Sequence, residues 1–375
     1  MILHQKDTEV KEKISYKKAN IKDISRLVEI EQSSFNYDQL DARKFRYFIR
    51  QAHADLIIQL KDITITGYGL LLYRKGTSLS RLYSFTIAKE FQGQNLSGQL
   101  LLELEKFARK EDSSYIRLEV KKTNIKAISL YEKLEYIQFS IKHQYYENNE
   151  DAVCMEKNIQ KLDKKQNTFT VPFYEQTTEF TCGPSSLMMA MSSLDPKYKT
   201  NRTEEIQIWR EATTVFMTSG HGGCGPHGLA LSAYERGFLP QLYLNTKELL
   251  FIDSVRQKHK KEVIKIVQDE FNRQIKIKKI PIHYGKIKWN ILRKIISAGG
   301  RPLVLISVYR LTETKSPHWV TITGMNDDFI FFNDPFVETD SDRIANISIP
   351  IRKDEFEGIA KFGSKKIQAL LALYK

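Results

Sequence analysis

The chain carries two hydrophobic rhythms. In residues 19–35, Ile24, Leu27, Val28 and Glu31 recur at helical spacing ahead of Ser33, Ser34 and Phe35, which predicts an amphipathic helix. Residues 55–72 switch to period two. Their apolar runs DLIIQL and ITITGYGLLLY are split by the turn-like pair Lys61-Asp62, which predicts a hairpin. Residues 80–88 read as a strand, and residues 99–110 as a helix with Leu100, Leu101, Leu104 and Phe107 on one face. A strand over 115–120 and a helix over 125–134 complete an alternation that predicts an α/β layer architecture.

Residues 160–168, QKLDKKQNT, are polar, lysine-rich and without period, which marks a domain boundary. Beyond it the pattern predicts a helix after Cys182, a Gly-rich patch HGGCGPHG and a long charged helix near 255–275. Strands are predicted around 303–309, 318–324 and 328–333. Helix first and strands later suits an α+β domain. The expected organisation is an α/β domain over 1–159, a linker over 160–169 and an α+β domain over 170–375, and a chain of 375 residues has room for both.

Composition adjusts this picture little. Apolar residues make up 41% and charged residues 27%, as in ordinary soluble domains. No apolar run approaches the roughly 20 residues that span a bilayer, and the start, MILHQKDTEVKEK, lacks the apolar core of a signal peptide. The expected location is the cytoplasm, without membrane contact. Three cysteines, Cys154, Cys182 and Cys224, do not make a disulfide framework, and reducing surroundings would keep a nucleophilic thiol free. The net charge of +13, with lysines dense over 257–294, can attract nucleic acid, ribosomes or acidic peptides. It reads first as a solvated surface. No zinc-finger spacing or aromatic–basic RNA motif accompanies it, so nucleic acid is not expected as a direct target.

Candidate chemistry lies in both halves. Residues 89–101, KEFQGQNLSGQLL, form a polar, Gly-containing loop between a predicted strand and a helix. Helix N-termini expose unpaired N–H groups and positive dipole, so such a junction can hold a pyrophosphate; by residue types alone it is equally an ordinary turn. Further on comes LEVKKTNIKAISLYEKLEY. Together these motifs, within residues 16–159, resemble the GCN5-related N-acetyltransferase (GNAT) superfamily, and most of all its ribosomal-protein-alanine acetyltransferase branch. The family's pyrophosphate loop, Arg/Gln-x-x-Gly-x-Gly/Ala, is matched by Gln92 and Gly93, while Asn95 and Ser97 replace the later small positions. Asn tolerates the left-handed backbone that Gly favours, and Ser is small. Glu135 stands where the family's helix-to-strand turn has Gly.

The resemblance implies a GNAT fold, a mixed sheet with helices on both faces, and acetyl-CoA as cofactor. It implies that Ile87, Gln92, Gly93, Gln94, Asn95, Ser97, Gly98 and Asn124 bind that cofactor. Tyr131 would protonate the leaving thiolate, Glu119 would act as general base, and Tyr145 and Tyr146 would shape the acceptor pocket. Both proton roles are chemically needed: an amine must lose a proton and a thiolate must gain one. Cys154, on the alternating run AVCMEK, reads as a buried apolar filler.

In the second half, Gln176 precedes Cys182 by six positions in QTTEFTCGPSSLMMAM. His318 follows in SPHWVTITG, and Asp334 in FFNDPF. A thiol attacks as thiolate, and a helix N-terminus or an imidazolium lowers its pKa. Gly183, Pro184 and an apolar run after Cys182 predict a helix that begins at the thiol. The Gln176 amide can donate to an oxyanion. Two antiparallel strands joined by a turn at Asn326, Asp327 and Asp328 can bring Asp334 beside His318. This set resembles the bacterial peptidase C39 family and its C39-like relatives in the papain-like clan, which implies a papain-like fold with Gln176, Cys182, His318 and Asp334 catalytic. C39 domains are usually fused to exporters and cleave leader peptides. No transporter segment is present here, so that substrate is not carried over.

His221, Cys224 and His227 in the Gly-rich patch stand three apart. The readings open are a plain constrained loop, a substrate-lining loop or, least, a zinc site, for which no fourth ligand is in range; no metal is expected.

The chain thus reads as a bifunctional enzyme: an acetyl-CoA-dependent N-acetyltransferase acting on a peptide or protein amine, with ribosomal protein among the options, joined to a cysteine peptidase. The alternatives for the second half are a thiol transpeptidase or ligase, or a non-catalytic module binding peptide or ribosome.

Overall fold

The protein was studied as a computed structural model. It describes residues 13–50, 53–160, 167–213, 216–217, 220–250, 252, 257–307, 316–337, 345–363 and 365–375. The charged start, most of the polar stretch 160–168 and the end of the strand predicted over 303–309 lie outside the described residues. The chain divides into two compact units, Met1–Leu162 and Asp163–Lys375.

The first unit runs β1 (Ile14–Lys18), α1 (Ile24–Ser34), α2 (Ala42–Arg50), β2 (Ala54–Lys61), β3 (Thr64–Tyr73), β4 (Leu79–Ile87), α3 (Leu96–Lys110), β5 (Tyr115–Lys121), α4 (Ile125–Lys133), β6 (Ile137–Lys142) and β7 (Ala152–Asn158). Asn20 and Asp23 cap each other's backbone at a short turn that leads into α1. Asp62 turns the β2–β3 hairpin with φ 54°. The seven strands order as β1-β2-β3-β4-β5-β7-β6. Only β4 and β5 are parallel, so the sheet is mixed.

Alternation along the central strands serves two cores. Ile57, Leu71 and Leu82 pack with Leu100, Leu101 and Leu104 of α3 and Tyr131 of α4. Leu56, Ile58, Tyr68 and Leu70 pack with Leu27 and Ile30 of α1 and Phe45 of α2. Helices therefore cover both faces. The sequence pattern did not announce α2, because only Phe45 of that helix is buried.

The second unit contains β8 (Asn167–Thr168), α5 (Cys182–Leu194), α6 (Arg202–Ala212), β9 (Phe216–Met217), β10 (Gly220–His221), α7 (Pro226–Glu235), β11 (Leu239–Leu244), α8 (Lys258–Ile277), β12 (Ile282–Tyr284), α9 (Trp289–Ser297), β13 (Arg301–Ser307), β14 (Pro317–Met325), β15 (Phe329–Asn333), β16 (Ile349–Arg352), α10 (Lys353–Ile359) and β17 (Ala369–Tyr374). Its main sheet orders β12-β11-β17-β13-β14-β15-β16, with β8 beside β14. The expected order of helix first and strands later holds only in part. β11 and β12 precede the late strands, and the C-terminal β17 lies between β11 and β13. A last strand placed inside the sheet ties the chain end into the core: Leu371 and Leu373 pack with α5 to α8, and Leu370 and Ala372 with α9 and α10. Among the described residues, no helix is long and apolar enough to cross a membrane.

Glu135, between α4 and β6, holds φ 65°. A non-glycine residue in the left-handed region costs about 1–2 kcal/mol, and part of that gain is offset by the freedom glycine has when unfolded. Glu135→Gly should therefore stabilise the first unit by roughly 0.5–1 kcal/mol. Denaturant unfolding of the full chain checks this on the transition that added acetyl-CoA shifts; an unchanged or lowered midpoint contradicts it.

Candidate functional site

In the first unit, the parallel pairing of β4 with β5 is confined to Leu79–Leu82 against Tyr115–Leu118. β4 continues to Ile87 and β5 to Lys121, so the two strands part toward their C-terminal ends. Past that gap, Gly93 (φ 81°) and Asn95 (φ 58°) turn the chain into α3, and Asn95 supplies the left-handed conformation expected of it. Gln92 Nε2 donates to Ile87 O at 3.1 Å, which closes the loop on the strand end. The first-turn N–H groups of α3, from Leu96 through Ser97 and Gly98, have no intrahelical acceptor. A parted strand pair ending at a helix N-terminus suits a long ligand with a pyrophosphate group, so these residues fit acetyl-CoA. Gln94 has its side-chain oxygen 3.4 Å from Lys61 Nζ, on the outside of the loop. Asn124 caps α4, its side chain accepting from Ala127 N at 3.1 Å.

Tyr131 lies on the inner side of α4. Its ring packs against Phe85, in the part of β4 that has left β5, at 6.4 Å between centroids. Burial pushes its phenol well above the usual range, so it keeps its proton at neutral pH. Glu119 is nearly buried on β5. It is paired with Arg81 Nε at 2.9 Å and Lys142 Nζ at 3.6 Å, and Arg81 also donates to Tyr145 Oη at 2.8 Å. The carboxylate is thus the centre of a charge cluster with two cations. Sequence reasoning saw neither Arg81 nor Lys142, because the pairing joins three strands. Tyr145 and Tyr146 meet edge to face, with Lys142 over one ring and Lys121 over the other. Lys121 also lies over Tyr37, from the connection between α1 and α2. Cys154 is fully buried, and burial pushes its thiol up to about 12.

In the second unit, α5 begins at Cys182, so the thiol stands at the positive end of a helix. His318 opens β14, and its Nε2 is 2.7 Å from Asp334 Oδ1, just beyond β15. The turn between those strands is held by Asn326, whose side chain accepts from Asp328 N and Phe329 N. With Nε2 on the carboxylate, Nδ1 is the ring nitrogen left for Cys182, to which His318 is hydrogen-bonded.

Burial works against the Cys182 thiolate. The His318 charge and hydrogen bond, with the Trp319 and Gly183 backbone, outweigh it and hold the thiol below its usual range. Burial likewise works against the imidazolium, but Asp334 and Cys182 raise His318 to about 10. Both shifts favour the thiolate–imidazolium form of the pair over the neutral one. Gln176 Nε2 donates to Thr178 O at 2.8 Å, leaving its second N–H to point elsewhere, while Gln176 N donates to Pro335 O at 2.9 Å, beside Asp334. Cys182, His318 and Asp334 are thus joined in a row, and Gln176 is tied through its backbone to the residue after Asp334.

Contacts that no motif announced hold this arrangement. Ser186 Oγ donates to Trp319 O at 2.9 Å, and Thr321 Oγ1 donates to Ser186 O at 2.8 Å, which straps α5 to β14. Trp319 Nε1 donates to Cys224 O at 3.0 Å. Cys224 packs against Gly183, where a side chain would meet Cys224, Leu229 and Trp319 at 3.2–3.3 Å. Burial pushes the Cys224 thiol up, so it stays protonated and the patch around it reads as packing. His227, buried near the start of α7, is driven down to about 4. The side chain of His221 lies outside the described residues. No cluster of three metal-ligating side chains occurs among the described residues.

The first unit has the layout of an acetyltransferase, and the comparisons agree: residues 10–159 match the acetyltransferase (GNAT) domain, a family whose acyl donor is acetyl-CoA. Residues 171–374 match the model described as a peptidase C39-like family. That is more than half of the chain, and the chain belongs to this family.

Over 148 residues it is 26% identical to a Bacillus subtilis (strain 168) protein provisionally named as a ribosomal protein bS18-alanine N-acetyltransferase; the match covers 39% of this chain and 96% of that one. It is 35% identical over 82 residues to the catalytic subunit of an N-terminal acetyltransferase B complex from Arabidopsis thaliana, covering 21% of this chain and 47% of that one. Among solved structures, the ribosomal-protein-S18-alanine N-acetyltransferase from Escherichia coli aligns with a TM-score of 0.37 and 20% identity, covering 41% of this chain and 98% of that one.

A depressed thiol loses its thiolate only as pH falls through its lowered pKa. The alkylation rate of Cys182 by iodoacetamide should therefore fall less steeply from pH 8 to 6 than that of a free thiol of pKa ~8.5, which changes nearly tenfold per unit. Asp334→Asn should weaken the imidazolium and move the profile upward. Peptide mapping after timed alkylation checks both.

Proposed function

We propose that the protein is a bifunctional cytoplasmic enzyme: an N-acetyltransferase for a peptide or protein amine, most simply an N-terminal one, and a papain-like cysteine peptidase. The observation that carries the second half is the buried row in which Asp334 holds His318 Nε2 at 2.7 Å while His318 meets a thiol at a helix N-terminus.

In this reading the Cys182 sulfur attacks the scissile carbonyl carbon. The oxyanion takes the free N–H of Gln176 and a first-turn N–H of α5. The C–N bond breaks as His318 Nδ1 gives its proton to the leaving amine. His318 then takes a proton from water, whose oxygen attacks the thioester, and the thiolate leaves with the carboxylic acid released. Asp334 keeps the ring turned and the imidazolium stabilised throughout. A helix that carries the thiol and a sheet that carries base and acid support the papain-like layout.

In the first unit, acetyl-CoA would supply an acetyl thioester along the parted strands. Tyr131 holds its proton at Oη for the thiolate that leaves, and Glu119, between Arg81 and Lys142, orients the acceptor end and receives the amine proton directly or through a neighbour. The relative named as an N-terminal acetyltransferase catalytic subunit supports an N-terminal amine as acceptor, and the one named for a ribosomal protein alanine supports a protein substrate. Free thiols at Cys154, Cys182 and Cys224 support a reducing compartment.

Two measurements test the proposal. With a peptide library offered as substrate, Gln176→Ala should lower peptide turnover by ~10²–10³ yet leave alkylation of Cys182 within a few-fold; equal turnover by wild type and Cys182→Ala removes the peptidase. With acetyl-CoA and free-amine peptides, Tyr131→Phe should lower kcat by at least ~10² with little change in KM for acetyl-CoA; an unchanged kcat removes Tyr131 as the acid.

A further inference from the structure

Glu205 belongs to no motif, yet it sits on the apolar stripe of α6 with Ile208, Trp209 and Ala212, all of them buried. It has no exposed surface at all. Burying a carboxylate is costly unless every lone pair is used, and here five donations converge on it. Oε1 accepts from Thr177 N at 2.8 Å, from Ser185 Oγ at 3.2 Å and from Thr181 Oγ1. Oε2 accepts from Tyr174 Oη at 3.0 Å and Thr177 Oγ1 at 2.8 Å.

All five donors are neutral, and they fall at residues 174, 177, 181 and 185. That stretch is the irregular segment carrying Gln176 and the first turn of α5 carrying Cys182. Gln176 lies directly between two residues, Glu175 aside, that Glu205 grips on either side, and Cys182 follows a third. The opposite side of the segment is pinned through Gln176 N to Pro335 O, next to Asp334. One carboxylate that binds both flanks of Gln176 and both sides of Cys182 fixes their separation.

We propose that Glu205 is the positioning residue of the thiol site, setting the distance between the Gln176 amide and the Cys182 sulfur and holding the first turn of α5 against His318. This rests on the reading of Cys182 as a nucleophile. Glu205 touches no reacting atom and acts only through the segment it holds.

The test is the pH profile of Cys182 alkylation by iodoacetamide, read by intact mass and peptide mapping from pH 5 to 10 on the full chain, beside the thermal midpoint. Glu205→Ala should lower the rate at pH 6.5 at least tenfold and move the profile up by about one unit, toward a free thiol. Glu205→Gln keeps the shape: its oxygen can accept from Thr177 N and Ser185 Oγ, the Thr181 hydroxyl has Thr178 O as a second acceptor at 3.1 Å, and the Tyr174 and Thr177 hydroxyls can turn to accept from its amide. It should stay within about threefold of wild type.

A lowered thermal midpoint with an unchanged alkylation profile in Glu205→Ala overturns the proposal and makes Glu205 a strut for stability. Should Glu205→Ala not fold, Thr177→Val decides. It deletes one hydroxyl donor, and an alkylation profile identical to wild type overturns the proposal, while a slower rate with an upward shift supports it. A wild-type profile that already follows a free thiol overturns the nucleophile reading and this proposal with it; the other outcomes leave that reading standing.

Discussion

The docking of one apolar helix onto one strand is the constraint from which the second unit is built. The two bonds between Ser186 and β14 set the depth of α5 against the sheet. The thiol and the imidazole belong to different elements far apart in sequence, so their contact is only as good as that depth. Gly183 permits it, since a side chain there would push against Cys224, Leu229 and Trp319 at once. The aromatic beside His318 and the second buried cysteine are therefore parts of one fitting: Trp319 binds the Cys224 carbonyl, and Cys224 closes on the glycine after Cys182.

The two candidate sites are built by different physical means. In the first, the working feature is a missing pairing. Two parallel strands part after four residues, and a loop with Gly93 and Asn95 in left-handed conformation delivers a helix N-terminus to the opening. In the second, the working feature is a surplus of pairing around charges that are nearly dry. Desolvation opposes both the thiolate and the imidazolium, and their mutual contact, Asp334 and the Trp319 and Gly183 backbone reverse that opposition.

Short-range signals were legible in the chain. The helix starting at Cys182, the Asn326 turn that returns Asp334 to His318, the hairpin at Lys61-Asp62 and the α3 and α4 helices all follow from local periodicity and turn chemistry. What was not legible is what depends on distant partners. The Arg81–Glu119–Lys142 cluster joins three strands, so Glu119 alone in the sequence showed a carboxylate and not its two cations. β17 lies inside its sheet although it ends the chain, and nothing in ALLALY says which strands it separates. Glu205 had a faint signal, an acidic residue in the apolar register of an amphipathic helix, but its meaning depends on four residues 20 to 31 positions earlier.

The composition of α5 has a consequence for how the molecule responds to ionic strength. The helix CGPSSLMMAMSSL contains no charged side chain, and every residue from Cys182 through Ser192 is buried. Mobile ions screen fields across water over about 8 Å at physiological ionic strength, but they do not enter packed protein. The dipole of this helix therefore reaches Cys182 undiminished by dissolved salt. The lysines that give the chain its charge of +13 work on the other side of that divide: attraction of acidic partners to them fades as ionic strength rises, while the character of the thiol does not.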